Sequence, residues 1–313
     1  MKVIILEKAG DAGQLIYSNA AQPGIEDQQV LIRVKAISIN PVDAKSRSNE
    51  ASLNWLFGET RPVVLGWDVS GTVVRIGKAV IDFKPGDEVF GMIHFPGHGK
   101  AYAEYVSAPA AQLALKPANI SHQQAAASTL AALTAWQVFA YAKVKPGDRV
   151  LIHAAAGGVG HFAVQIAKHL GAYVIATSSV GNRDFILSLG ADQHIDYQSQ
   201  RFEQAVSEID MVLDGVGGDY IDRSLEVIKK GGILITIPTS ISEAVVSKAA
   251  ATGITARFLL VQSSGSDMKV IAGLLEKGTI NPHISKTYAF DQMSEAHQDM
   301  ERGRTVGKII ITI

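Results

Sequence analysis

The stretch VLIHAAAGGVG, Val150 to Gly160, decides the fold of this 313-residue chain. VLIHAA (Val150–Ala155) reads as a short apolar strand, and the glycines follow at once. Val159, Phe162, Ile166 and Leu170 then recur at three- and four-residue spacing up to Gly171, which suits a helix closed by a glycine cap. This is one βα unit, and the pattern continues. YVIAT (Tyr173–Thr177), HIDY (His194–Tyr197), DMVLD (Asp210–Asp214) and ILITI (Ile233–Ile237) read as further strands, with a helical spacing at Ile221, Leu225 and Ile228 that ends at Gly231. Such alternation predicts an α/β fold, a doubly wound parallel sheet with helices on both faces.

The placement of Gly157, Gly158, Val159 and Gly160 between a strand and a helix is what dinucleotide binding needs. Bare backbone lets a pyrophosphate approach, and the helix's unpaired N–H groups and positive end hold it. Ala155 stands where G-x-G-x-x-G would have its first glycine, so a tight turn without ligand is the competing reading. The next strand selects the nucleotide. An NAD site usually carries Asp or Glu near its end, whereas this strand ends in Thr177, Ser178 and Ser179, with Arg183 close behind. Hydroxyls and a guanidinium donate to phosphate oxygens where an acid would repel them, so NADPH is expected over NADH.

Upstream, Lys2–Leu6, Val30–Ile37, Val63–Ile76, Glu88–Met92 and Tyr102–Ser107 read as strands of a β-rich domain. Ser121 and Gln124 form a capping box that opens a helical stretch to about Ala142. The turn KPGD occurs at Lys84–Asp87 and Lys145–Asp148, each time ahead of a strand. Helices are expected from about Ser266 to Gly278 and from Asp291 to Gly303, followed by a strand KIIITI that could return to the first domain. With 29 basic against 30 acidic residues the net charge is −1, which gives no case for nucleic acid. The absence of cysteine removes disulfides, thiol nucleophiles and every Cys-based zinc site. No apolar run approaches the roughly 20 residues of a membrane span, so a cytoplasmic protein is expected.

The segments NPVDAKSR (Asn40–Arg47), VLGWDVSGTVVRIG (Val64–Gly77), FKPGDEVFGM (Phe83–Met92), AYAEYV (Ala101–Val106), the AAAGGVG loop and MERGRTVGKIII together resemble the medium-chain dehydrogenase/reductase superfamily. More narrowly they resemble its zinc-free quinone oxidoreductase branch, which includes zeta-crystallin and the NADPH-dependent alkenal/enone reductases. The resemblance implies a GroES-like β-barrel over 1–122 completed by 264–313, a Rossmann domain over 123–263, and an active site in the cleft between them. Zinc-dependent members ligate the metal near the positions of Pro41 and Trp67 through Cys and His, residues this chain lacks there.

The resemblance also implies site residues. Asn40 would lie beside nicotinamide and substrate, Lys45 would donate to a substrate oxygen, Asp43 belongs to the same segment, and Trp67 would shape the substrate pocket. Each has a plainer reading: Asn40 as a turn residue, Asp43 as a helix cap, Lys45 as a surface charge, Trp67 as core. Thr129 would approach the nicotinamide, Tyr197 the adenosine phosphate end, and Asp214 and Gly215 the ligand-facing strand edge. Without a Lewis acid, hydride transfer suits a quinone or an α,β-unsaturated carbonyl, where charge moves onto an oxygen that hydrogen-bond donors can stabilise. A ketone or aldehyde reductase, and a protein that binds NADPH with little turnover, are the alternatives. The partner is a small electrophilic carbonyl or quinone, and related enzymes are often homodimers. Tyr141 with Lys145, His94 with His98, and Gly303–Lys308 loosely match other site patterns, but Pro146, loop placement and Ile309 respectively argue against them.

Overall fold

A computed structural model describes residues 1–313, which divide into two compact units, Met1–Leu133 with Gln262–Ile313, and Thr134–Val261. In the second unit six strands lie all parallel in the order Gln193–Asp196, Tyr173–Ser178, Arg149–Ile152, Ile209–Asp214, Ile228–Thr236 and Thr255–Phe258. Chain order reverses between the third and fourth of these, the topological switch point of a doubly wound sheet. The glycine stretch leaves the strand at that point and enters the helix Gly158–His169, whose Phe162, Ala163, Val164, Ile166 and Ala167 are all buried. A Cβ on Gly160 would stand 2.3 Å from the carbonyl oxygen of Ala154 and 2.6 Å from Ala155 Cα. Only glycine therefore lets this helix start so close to its strand.

The first unit is a seven-stranded sheet plus a hairpin of Lys2–Leu6 with Leu15–Asn19. Its spine is the 11-residue strand Gln29–Ile39, which pairs along its length with Asp68–Ile76. Its first half also pairs with Tyr105–Pro109 and its second half with Lys308–Thr312. The expected return of KIIITI to the first domain is thus found. The helix His122–Ala127 packs against strands of this sheet, which carries the unit past residue 122 to Leu133. Both KPGD turns precede strands, with the Lys84 and Lys145 amides donating to Asp87 at 2.9 Å and Asp148 at 3.0 Å, and Gly86 and Gly147 at positive φ.

Several expectations need correction. The helix from Ser121 to Ala142 is two helices, His122–Ala127 and Leu130–Ala142, because Ser128 and Thr129 turn their hydroxyls back onto the carbonyls of Gln124 and Ala126, each at 2.8 Å. Ile228 starts a strand, in register with Ile209, and the preceding helix is Asp219–Leu225. The strand expected from Val63 begins only at Asp68, with a single bridge from Val63 to Leu6 before it. No helix is long and apolar enough to cross a membrane.

The glycines supply a test of the backbone argument. Gly160→Ala should cost about 1–3 kcal/mol, because its methyl meets backbone that cannot rotate away. Gly273→Ala, inside a helix with open space around it, should instead gain about 0.5–1 kcal/mol. Denaturant unfolding of both variants checks the opposite signs.

Candidate functional site

The second unit gathers its predicted nucleotide residues at the carboxyl ends of its strands. Gly157 caps the helix Gly158–His169 without any side-chain hydrogen bond, and Gly157, Gly158 and Val159 are only half-buried. The first amides of a helix have no partner inside it, so this end offers several N–H donors and a positive dipole to an anion. Beside it, Ser178 and Ser179 end their strand, and the Tyr197 amide donates to the Ser178 carbonyl at 3.3 Å. Ser179 Oγ accepts from Asn182 Nδ2 at 3.2 Å, and Arg183, exposed, follows within the same turn. No carboxylate lies on the end of the Tyr173–Ser178 strand. These groups fit a dinucleotide with a phosphate on its adenosine ribose.

Asp214 has another task. Its carboxylate accepts from the amides of Val216 at 2.9 Å and Gly217 at 3.0 Å, and from Thr236 Oγ1 at 2.8 Å. The group is fully buried and spent on the backbone. Asp214 shapes the loop at Gly215 instead of facing a ligand, which corrects its expected contact. His153, in the strand before the glycines, is likewise internal: it lies between Thr177 Oγ1 and Ser224 Oγ, both at 3.1 Å, and burial drives it down to about 3, so it is neutral.

The first unit holds a buried polar cluster around Asn40. The Asn40 amide N–H donates to Asp43 Oδ2 at 2.7 Å, which fastens the start of the helix Pro41–Ser48. Its side chain is clamped from both sides. Nδ2 donates to Asp68 Oδ2 at 2.8 Å, while Oδ1 accepts from Lys308 Nζ, which also donates to the Ile39 carbonyl at 3.0 Å. Asp68 Oδ1 accepts from the Leu130 amide at 3.0 Å, and Thr129, whose hydroxyl proton goes to the Ala126 carbonyl, lies beside the same carboxylate. Asn40, Asp43 and Thr129 are thus brought together, joined by Asp68 and Lys308, which the sequence did not single out.

Burial sets the electrostatics here. Desolvation pushes Asp43 up to about 7 against the pull of the Asn40 amide, and Asp68 pushes it further the same way. Burial raises Asp68 too, opposed by Lys308, and lowers Lys308, opposed by both carboxylates. Asp43 Oδ1 has no hydrogen-bond partner, although Tyr102 lies near enough to act on it. The Tyr102 hydroxyl pairs with His297 Nε2 at 2.9 Å, and His297, driven down to about 3 by burial, is neutral.

Two predicted residues stand apart. Lys45 is exposed on the helix whose Asp43 is buried, and the lysine that enters the cluster is Lys308. Trp67 is fully buried, stacked on Phe57 at 5.8 Å and edge-on to Phe95 at 5.1 Å, with its N–H donating to the Gly97 carbonyl at 2.7 Å. It is a core residue, a correction to the pocket role. Nor do the residues fit zinc: Pro41 and Trp67 offer no thiolate or imidazole, and no group of three or more His, Cys, Asp or Glu comes together.

Comparison with known proteins agrees with this layout. The family model described as alcohol dehydrogenase GroES-like domain matches residues 26–118, and that described as zinc-binding dehydrogenase matches 189–311. The chain is 37% identical to 2-methylene-furan-3-one reductase of Solanum lycopersicum, covering 95% of itself and 74% of that protein. It is 34% identical to the chloroplastic NADPH-dependent alkenal/one oxidoreductase of Arabidopsis thaliana, covering 95% and 75%. The quinone oxidoreductase of Coxiella burnetii superposes with a TM-score of 0.94 at 35% identity, over 100% of this chain and 99% of that one. The chain belongs to the medium-chain dehydrogenase/reductase superfamily, with a GroES-like unit and a Rossmann-like unit.

Proposed function

We propose that this chain is an NADPH-dependent oxidoreductase that reduces the conjugated double bond of an enone or alkenal, or a quinone. The observation that carries the reading is its likeness, along 95% of its length, to two plant reductases of such compounds, one of them named for its NADPH dependence. The residues are consistent with it. Gly157, Gly158, Val159 and Gly160 would hold the pyrophosphate on backbone amides, Ser179 and Arg183 the adenosine phosphate beside Ser178, whose own hydroxyl is spent on the Ser179 carbonyl, and Tyr197 the adenosine end. When bound, NADPH supplies a hydride.

The first unit supplies the electrophilic half. Reducing a conjugated acceptor sends negative charge to its oxygen, and the barrier falls if a donor already waits there. Asn40 is suited to that role: one N–H of Nδ2 is spent on Asp68 and the other is left for an acceptor. Lys308 draws electron density from Oδ1, which strengthens the opposite N–H as a donor. Burial lets Asp43 hold a proton near neutral pH, and on this reading it would supply that proton to the reduced acceptor. Thr129 steadies Asp68. On this reading the protein is a cytoplasmic homodimer, joined along the free edge of the strand Thr255–Phe258.

Three outcomes test the proposal. NADPH absorbance should decay with an enone and a quinone and far less with a simple ketone; decay with the ketone alone would make the protein a carbonyl reductase, and no decay with any of them a binding protein. Arg183→Ala should raise the Michaelis constant for NADPH roughly tenfold or more and leave that for NADH nearly unchanged. Asp43 gives a stability signature. Its folded value, about 7 against 3.8 when free, means its contribution is full below 3.8 and is lost as the pH rises through 7. Asp43→Asn, a neutral mimic, should therefore gain on the wild type by on the order of 2 kcal/mol between about pH 5 and pH 8. Urea midpoints at the two values measure it, and an equal gap at both would show a freely ionised carboxyl.

A further inference from the structure

The strand Gln193–Asp196 runs parallel to Tyr173–Ser178, with His194 in register with Ala176. That register carries the His194 ring to the end of its neighbour, where Nε2 lies 2.8 Å from Ser178 Oγ. The Ser178 hydroxyl gives its proton to the Ser179 carbonyl at 3.0 Å, so its oxygen accepts and His194 Nε2 is the donor. The remaining ring nitrogen, Nδ1, makes no hydrogen bond in the chain, and the side chain is only partly buried. His194 thus stands beside Ser178, next to Ser179 and Arg183, with one nitrogen able to take up a proton.

We propose that His194 is a second cationic contact for the adenosine 2′-phosphate, one that charges as the phosphate binds, so that the preference for NADPH over NADH grows with acidity. The charged groups that face the ring are Asp196 on its own strand and Arg183 from the helix Arg183–Ser188. In the free protein burial acts first and Arg183 second to hold the imidazole below its ordinary value, and Asp196 pulls the other way. Asp196 is itself occupied, accepting from Ser199 Oγ at 2.7 Å and the Gln198 amide at 3.1 Å. A phosphate dianion on Ser179 and Arg183 would offset the guanidinium and favour the imidazolium. Linkage then requires that binding take up a proton at mildly acidic pH. Nothing in this argument needs substrate, so it goes beyond the proposed reaction and rests only on where the 2′-phosphate sits.

Calorimetry with the full chain tests it, using adenosine 2′,5′-bisphosphate and 5′-AMP as probes. The ratio of their affinities should rise roughly three- to tenfold in the wild type between about pH 7.5 and pH 6. Runs in buffers of different ionisation heat should show proton uptake with the bisphosphate only. His194→Gln keeps an N–H donor for Ser178 but cannot charge, so the ratio should stay flat or fall and the uptake should shrink. It also carries the phosphate's own titration, which the comparison subtracts. Arg183→Ala should lower the ratio at every pH and leave a pH-dependent part. Proton uptake by His194→Gln equal to that of the wild type would overturn the proposal. So would a wild type that fails to prefer the bisphosphate at any pH, which would place the 2′-phosphate elsewhere while leaving enone reduction, read separately by NADPH decay, untouched.

Discussion

The first unit turns on one buried ammonium. Lys308 is 3% exposed and feels the charge of two carboxylates, Asp43 and Asp68, that are themselves fully buried. Desolvating ionisable groups is costly, and here the ammonium is compensated by the Ile39 carbonyl and Asn40 Oδ1, which links it through the amide to Asp68. Ile39 and Asn40 receive the ammonium at the end of the spine strand, and Lys308 opens the strand that pairs beside it. The last strand of the chain therefore closes the sheet with hydrogen bonds and balances its charge at the same point. Without Lys308 the Asn40 Oδ1 and the Ile39 carbonyl would lose their donor and Asp68 its nearest opposing charge, so the distant strand completes the first unit electrostatically as well as topologically.

The second unit depends on the absence of side chains. The helix Gly158–His169 presses on its strand because Gly160 has no Cβ, and its capping residue Gly157 offers no side chain to the end amides. What would be a defect in an ordinary helix, an uncapped amino end, is on the proposed reading the pyrophosphate site. Asp214 complements this by tying down Val216 and Gly217, so the neighbouring loop is held by its own carboxylate and needs no ligand to be ordered.

The division of the sequence into a strand-rich part and an alternating part was legible because periodicity and glycine punctuation are local signals. The same locality misled it at Ile228, where an apolar residue three places after Leu225 extends a helical spacing that the backbone abandons for a strand. The helices Pro41–Ser48 and Glu50–Phe57 were not read, since Asn40 and Pro41 look like turn residues, whereas Asn40 caps the first helix, Pro41 opens it and Asn49 caps the second. At the site, Asn40 and Asp43 were found through their segment, but Asp68 and Lys308 lie 28 and 268 residues from Asn40, and no spacing rule joins them. Lys45 and Trp67 show what a segment leaves open: both residue types suit the chemistry, but only the fold decides that one is exposed and the other packed among Phe57 and Phe95.

On the proposed reading, in which Asn40 is the electrophilic group, these constraints favour one class of acceptor. A zinc ion concentrates charge on a single oxygen and can stabilise a localised alkoxide, but Pro41 and Trp67 offer it no thiolate or imidazole. A carboxamide backed by an ammonium is a weaker and more diffuse electrophile, worth about one charge-assisted hydrogen bond. That is little help to a simple ketone, whose reduced form carries its full charge on one oxygen. In an enone or quinone the charge is delocalised before any donor touches it, and a modest, rigidly held N–H is enough. The fixed orientation of Asn40 then matters more than its strength, because Asp68 and Lys308 have already met the cost of ordering the amide when the chain folds.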